Sequence, residues 1–224
     1  MRRLMIGLLL LAVLALPVQA EETKYVALTF DDGPSGKYTQ RLLDGLQDRG
    51  VEATFLLCGY RMEQYPDLTR RIFDEGHEIG YHGFTHKSME GMSRRSIAQE
   101  LIDSQTLLPE GCRPVFMRPP GGIVTDGVRQ VAQARRLAIL SWSVDPRDWA
   151  SSSVGVIETA VLKKVQDGDI ILLHDMSYSS VQAALDIVDV LREQGYEFVT
   201  VSELAKLRQT KVEAGEMYQK FPPN

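Results

Sequence analysis

Short apolar runs alternate with longer amphipathic stretches along most of this chain, and that alternation limits the fold more than any other feature. The runs cover residues 25–30, 53–58, 77–80, 115–117, 138–142, 170–173 and 197–200. Their length and apolar content read as buried strands. The stretches at 38–49, 64–75, 93–107, 126–135, 154–164 and 181–194 read as helices. Ser96 and Gln99 have capping-box spacing inside a helix that starts at Ser93. Gly50, Gly76 and Gly195 fall just past helix ends. Strand–helix repetition predicts a parallel sheet with helices outside. About seven such units suffice for an α/β fold curled into a distorted, incomplete (β/α) barrel. A length of 224 residues suits one domain, expected at 24–207. The charged segment 208–224 is expected to be a loosely held tail.

Arg2 and Arg3 precede an uncharged apolar run at 4–16, broken by Pro17 and followed by Val18-Gln19-Ala20. This is the pattern of a secretory signal peptide, residues 1–20. The run is short of the ~20 residues that span a bilayer. An uncleaved anchor is the other reading, and both place the domain outside the cytoplasm, in the envelope or secreted. Membrane contact is then transient, through the signal peptide alone. Loss of Arg2 and Arg3 makes the formal charge of −5 more negative still. With no basic run, nucleic acid is excluded as a partner, whereas a neutral or cationic polymer suits an acidic surface. Export permits a disulfide between the two cysteines, Cys58 and Cys112, but Cys58 ends an apolar run where a free buried thiol is equally normal.

The unusual polar residues fall at the ends of the apolar runs. Asp31 and Asp32 follow the first run and His82 and His86 the third. Arg118 follows the fourth, Asp145, Asp148 and Trp149 the fifth, and His174 and Asp175 the sixth. Strand C-terminal ends share the active face of an α/β barrel, so these segments converge on one mouth. Two His and a strand-end Asp leave open positions on a divalent ion, as a catalytic site requires. The same ligand set serves non-haem iron oxygenases, but those sit on β-sandwich scaffolds. Hydrolytic use is the better reading, with water acidified to a pKa of roughly 7 and a carbonyl polarised. If Asp32 binds the metal, Asp31 is free as general base, and Arg118 can hold it. His174 suits a general acid, with Asp148 raising its pKa. Trp149 and Leu172 would supply apolar wall.

Five segments together resemble the polysaccharide deacetylases, the NodB-homology or carbohydrate esterase family 4 domain. They are TFDDGP at 29–34, HxxTH at 82–86, RPPGG at 118–122, DPRDW at 145–149 and LLHD at 172–175. The resemblance implies a distorted (β/α) barrel that removes N- or O-acetyl groups from polysaccharides. It implies Asp31 as base and Asp32, His82 and His86 as metal ligands. Arg118 would orient the base, and His174 would be the acid tuned by Asp148. The backbone N–H of Gly121 would face the oxyanion, with Trp149 and Leu172 walling the acetyl pocket. The implied cofactor is one divalent metal, zinc first, with cobalt, nickel and manganese as alternatives. The expected substrate is an N-acetylated glycan, peptidoglycan before chitin oligomers or xylan. A glycan-binding barrel with weak catalysis is the alternative from another class. Gly83 and Gly121 depart from the family pattern: Gly83 lacks a hydroxyl that could support the ligand loop, and Gly121 lacks a substrate-facing side chain.

Overall fold

The computed structural model describes residues 23–223, so the proposed signal peptide lies outside the described residues. Its strands are β1 (Lys24–Asp31), β2 (Thr54–Leu57), β3 (Glu78–Tyr81), β4 (Phe116–Met117), β5 (Ala138–Leu140), β6 (Ile170–His174), β7 (Tyr196–Phe198) and β8 (Met217–Tyr218). They form one sheet in the order β6-β1-β2-β3-β4-β5-β8, with β7 paired to β1, and every pairing is parallel. The sheet curls into an open barrel. Isolated bridges, Val144 to Ile171 and Asp169 to Lys220, link its two ends.

Alternation along β1 and β6 divides two environments. Leu28, Phe30, Ile171 and Leu173 face outward into a core shared with Leu42, Leu46 and Val188 of the surrounding helices. Ala27 and Ile170 face inward, into a second cluster with Leu56, Phe116 and Leu140. By the period of two, Thr29, Asp31, Leu172 and His174 share that inner side. The register sets Asp31 opposite His174 at the end of the β1–β6 pair.

The helices are α1 (Gly36–Arg49), α2 (Gly59–Gln64), α3 (Pro66–Asp74), α4 (Arg94–Gln105), α5 (Asp126–Ala134), α6 (Val154–Leu162), α7 (Tyr178–Glu193) and α8 (Val201–Leu207). Local signals explain their ends. Pro66 opens α3, where its missing N–H costs no helical bond. Ser93 caps α4 by accepting from the Ser96 N–H at 3.1 Å, so the cap is Ser93 and not Ser96. Gly50 closes α1 in the left-handed region, φ 59°. The six-residue α2 and seven-residue α8 are too short to carry a clear period.

The segment after Leu207 is not a loose tail. β8 pairs with β5, and Phe221 is 1% exposed within the inner apolar cluster. The Phe221 N–H donates to Gly168 O at 2.8 Å. A Cβ on Gly168 would lie 2.0 Å from Phe221 O, so this approach requires glycine. A two-residue strand among Lys211, Glu213, Glu216 and Lys220 leaves no periodic signature. Phe221→Ala is expected to cost about 3–5 kcal/mol of unfolding free energy, read from denaturant midpoints. A cost below ~1 kcal/mol would mean that the segment is not part of the core.

Cys58 and Cys112 are both free and buried, which settles the pairing left open by the sequence. Burial pushes the Cys112 thiol up to about 11 and raises Cys58 further, which disfavours the thiolate in both.

Candidate active site

Adjacent acids on a continuing strand would point to opposite faces. Here β1 ends at Asp31, which keeps the inner face, and Asp32 takes φ 73°. A left-handed conformation costs a non-glycine residue on the order of 1–3 kcal/mol, with Asp among the more tolerant types. That turn sends the two carboxyl groups to different partners, Asp31 to Arg118 and Asp32 to His82 and His86.

Asp32, His82 and His86 each offer a ligand atom, all within 4.8 Å of one another. Asp32 Oδ1 lies 3.3 Å from His82 Nε2 and 2.9 Å from His86 Nε2. His82 leaves the end of β3, is 2% exposed, and its Nδ1 sits 2.7 Å from the Arg118 carbonyl oxygen. A carbonyl only accepts, so Nδ1 carries the proton and Nε2 turns its lone pair toward Asp32. Among the described residues, buried Asp32 Oδ1 has no hydrogen-bond donor that meets bonding geometry. One carboxylate oxygen and two ring nitrogens converging on one point suit a cation, so the donor set fits a divalent metal. Burial raises the Asp32 pKa, but the closeness of His82 and His86 outweighs it and holds the carboxyl below the usual range. The Asp32 carboxylate, 2.9 Å away, raises His86 in return.

Arg118 is fully buried at the end of β4 and fastens Asp31. Its Nη1 donates to Asp31 Oδ1 at 2.6 Å and Thr29 Oγ1 at 3.0 Å. Its Nη2 and Nε donate to Ser141 O at 2.8 Å and Leu140 O at 3.2 Å, and Trp142 lies under the guanidinium. One Asp31 oxygen is thus committed to Arg118, while Oδ2 faces His82 Nε2 at 3.7 Å.

Across the β1–β6 pair, His174 Nδ1 bonds Asp148 Oδ1 at 2.8 Å, and Asp148 Oδ2 accepts from the His174 N–H at 2.8 Å. Burial works against the imidazolium, but the bond and charge of Asp148 prevail, aided by Asp31 and Asp32, and push His174 up to about 9. The Asp148 contribution persists when a cation neutralises Asp32. Asp32, Asp148, Trp149 and His174 line one cavity of about 530 Å³. Trp149 is 62% exposed at its rim, with the Arg147 guanidinium 5.0 Å from its ring. Asp145 accepts from the Arg147 N–H at 2.7 Å and so shapes this turn.

Leu172 and Gly121, expected to face the acetyl group, do not line that cavity. Leu172 lies on the inner face two positions before His174 and is 4% exposed. Gly121 is exposed in a 3-10 turn at φ 69°, with open space where a Cβ would stand. That turn borders the metal-ligand loop, since Pro120 lies 3.8 Å from a Cβ built on Gly83. His77, the remaining histidine, is buried and accepts from the Ala53 N–H; burial and Arg71 lower it to about 4.

Supporting residues escaped the sequence reading. Glu100 of α4 accepts from the Phe84 and Thr85 N–H groups, both at 2.7 Å, and from the Thr85 hydroxyl at 2.9 Å. This carboxylate braces the loop between His82 and His86. The loop therefore has a support other than a hydroxyl at position 83, where Gly83 takes φ 76°. Asp175 is fully buried against Gly33 and accepts from the Thr39 hydroxyl. LLHD contained it, but no local pattern showed what it touches.

The polysaccharide deacetylase family model matches residues 19–139, which include the candidate metal triad, Asp31 and Arg118. A Bacillus cereus peptidoglycan-N-acetylglucosamine deacetylase is 38% identical over 191 residues, covering 83% of this chain and 90% of that protein. A Bacillus subtilis peptidoglycan-N-acetylmuramic acid deacetylase is 35% identical over 206 residues, 89% of this chain. The match spans only 43% of that longer relative. The solved structure of a family 4 acetyl xylan esterase from Clostridium thermocellum, which holds a cobalt ion, superposes with TM-score 0.83 at 34% identity. That superposition covers 89% of this chain and all of the esterase. With half the chain matched by the family model and relatives that extend past His174, the chain belongs to the polysaccharide deacetylase family.

Proposed function

We propose that this protein is an exported, zinc-dependent enzyme that removes acetyl groups from N-acetylated glycans, with peptidoglycan as its substrate. The observation that carries this reading is the placement of Asp31 opposite His174, with the Asp32–His82–His86 donors beside them. The names of the Bacillus relatives favour peptidoglycan, and the segment at 1–20 favours an envelope location. A divalent ion bound to the triad supplies Lewis acidity, which acidifies water and polarises a carbonyl.

The chain's own groups do the rest. Asp31 Oδ2, the oxygen not committed to Arg118, takes the proton of the attacking water. The water oxygen bonds to the acetyl carbonyl carbon, and the Gly121 N–H donates to the oxyanion that develops. His174, with Nδ1 occupied by Asp148, delivers the Nε2 proton to the departing nitrogen as the C–N bond breaks. Acetate and a free amine leave. A raised His174 pKa keeps this acid charged through neutral pH. Trp149 and Leu172 shield the acetyl methyl from water.

Acetate release from N-acetylated peptidoglycan, chitin oligomers and acetylated xylan, with Zn²⁺ or Co²⁺ added, tests the reading. Turnover is expected on the first, with loss on chelation and recovery on metal return. No acetate from any of the three would refute deacetylation, and release from xylan alone would refute the substrate.

A further inference from the structure

Asp175 ends the LLHD segment beside His174, yet the chemistry above gives it no part. Its side chain is fully buried, and Oδ1 has no hydrogen-bond partner among the described residues. Leaving a carboxyl oxygen buried and unpaired opposes folding, so a role in stability alone does not explain it.

Its surroundings are specific. A Cβ built on Gly33 would lie 2.5 Å from both Asp175 oxygens, so the carboxyl group lies flat against the Gly33 Cα. The turn after Asp32 needs glycine there because of this close approach. Asp175 Oδ2 accepts from the Thr39 hydroxyl, whose oxygen accepts from the Ser35 N–H at 2.6 Å. The Ser35 hydroxyl donates to the Asp175 carbonyl oxygen. From the other side, the Cys58 N–H donates to Gly33 O at 3.1 Å. These contacts grip residues 33–35, immediately after the left-handed Asp32.

We infer that Asp175 is a positioning residue for the metal site: its carboxyl group seats the Gly33 turn and thereby aims Asp32 at His82 and His86. The contact joins the TFDDGP and LLHD segments directly. It acts through shape and the bond from Thr39, so an amide in place of the acid preserves it. The inference rests on the metal-site reading of Asp32, His82 and His86.

The test is the dissociation constant of Zn²⁺ from the folded protein, by competition with a chromophoric chelator. Asp175→Ala is expected to weaken binding by about 10–100-fold, the usual range for groups that orient a ligand. Asp175→Asn is expected to stay within about 3-fold of the parent, because it keeps the shape and an acceptor for Thr39. Excess metal should restore kcat in the alanine variant with KM unchanged, which a general structural lesion would not allow. Thr39→Val removes the bond at nearly constant volume and is expected to weaken metal by about 10-fold, even if Asp175→Ala does not fold. Native affinity in Asp175→Ala or Thr39→Val, or equal losses in the asparagine and alanine variants, would overturn the inference. The titration needs no glycan. Failure of the deacetylase reading would show separately, as a parent protein that binds metal and releases no acetate.

Discussion

Asp31→Asn is expected to lower kcat for deacetylation by about 10³-fold, the scale of a general base removed from a transition state. Asparagine keeps the outline of the side chain, and its carbonyl oxygen still accepts from Arg118 Nη1. It has no basic oxygen to receive the water proton. The contacts that build the ligand set do not pass through Asp31: His82 is fixed by the Arg118 carbonyl, and Asp32 by the turn over Asp175. KM is therefore expected to change little. The substitution also leaves the Arg118 charge buried without its partner, so a lower melting temperature should accompany it. A kcat within tenfold of the parent would remove Asp31 from the role of base.

Arg118→Met should damage stability and catalysis together. Arg118 has no solvent exposure and donates to Asp31, Thr29, Leu140 and Ser141. Methionine fills part of the space but leaves the Asp31 carboxylate buried without its counter-charge, with two carbonyls lacking donors. Breaking one side of a buried pair costs about 3–5 kcal/mol. Asp31 should then rotate toward the cluster at His82, 3.7 Å away, and compete for the metal. Chemical denaturation of the metal-free proteins measures the first effect and kcat the second. Arg118→Lys should fall between them, since one ammonium cannot reach every acceptor of the guanidinium fork. A destabilisation below ~1 kcal/mol in Arg118→Met would mean that the pair is not the structural tie between β1 and β4 described above.

Strands and helices were legible because their signals are local. The apolar run at 25–30 and the amphipathic stretch at 38–49 lie close to β1 and α1. The candidate site was legible because a parallel barrel gathers strand ends, and Asp31, His82, Arg118 and His174 lie at or just past theirs. What stayed hidden depends on contacts between distant segments. Thr39 and Asp175 are 136 residues apart, and nothing near either one predicts their bond. Glu100 reads as an ordinary acid on a helix until the loop at Phe84 and Thr85 folds over it. β8 was hidden for the opposite reason: charged neighbours on a two-residue strand imitate a solvated tail, and the burial of Phe221 overrides them. Leu172 entered as apolar wall at a strand end and Gly121 by family resemblance, and neither lines the cavity beside His174. Their assignment to the acetyl pocket and oxyanion thus depends on substrate contact.

The central claim is a division of labour between two adjacent carboxylates, separated by the left-handed turn at Asp32. Metal content of the purified Asp31→Asn and Asp32→Asn variants, measured after equilibration with Zn²⁺ and removal of free ion, tests it most directly. The account predicts one ion per chain in Asp31→Asn, as in the parent, and a largely empty site in Asp32→Asn. Loss of the ion from Asp31→Asn, with retention in Asp32→Asn, would contradict it.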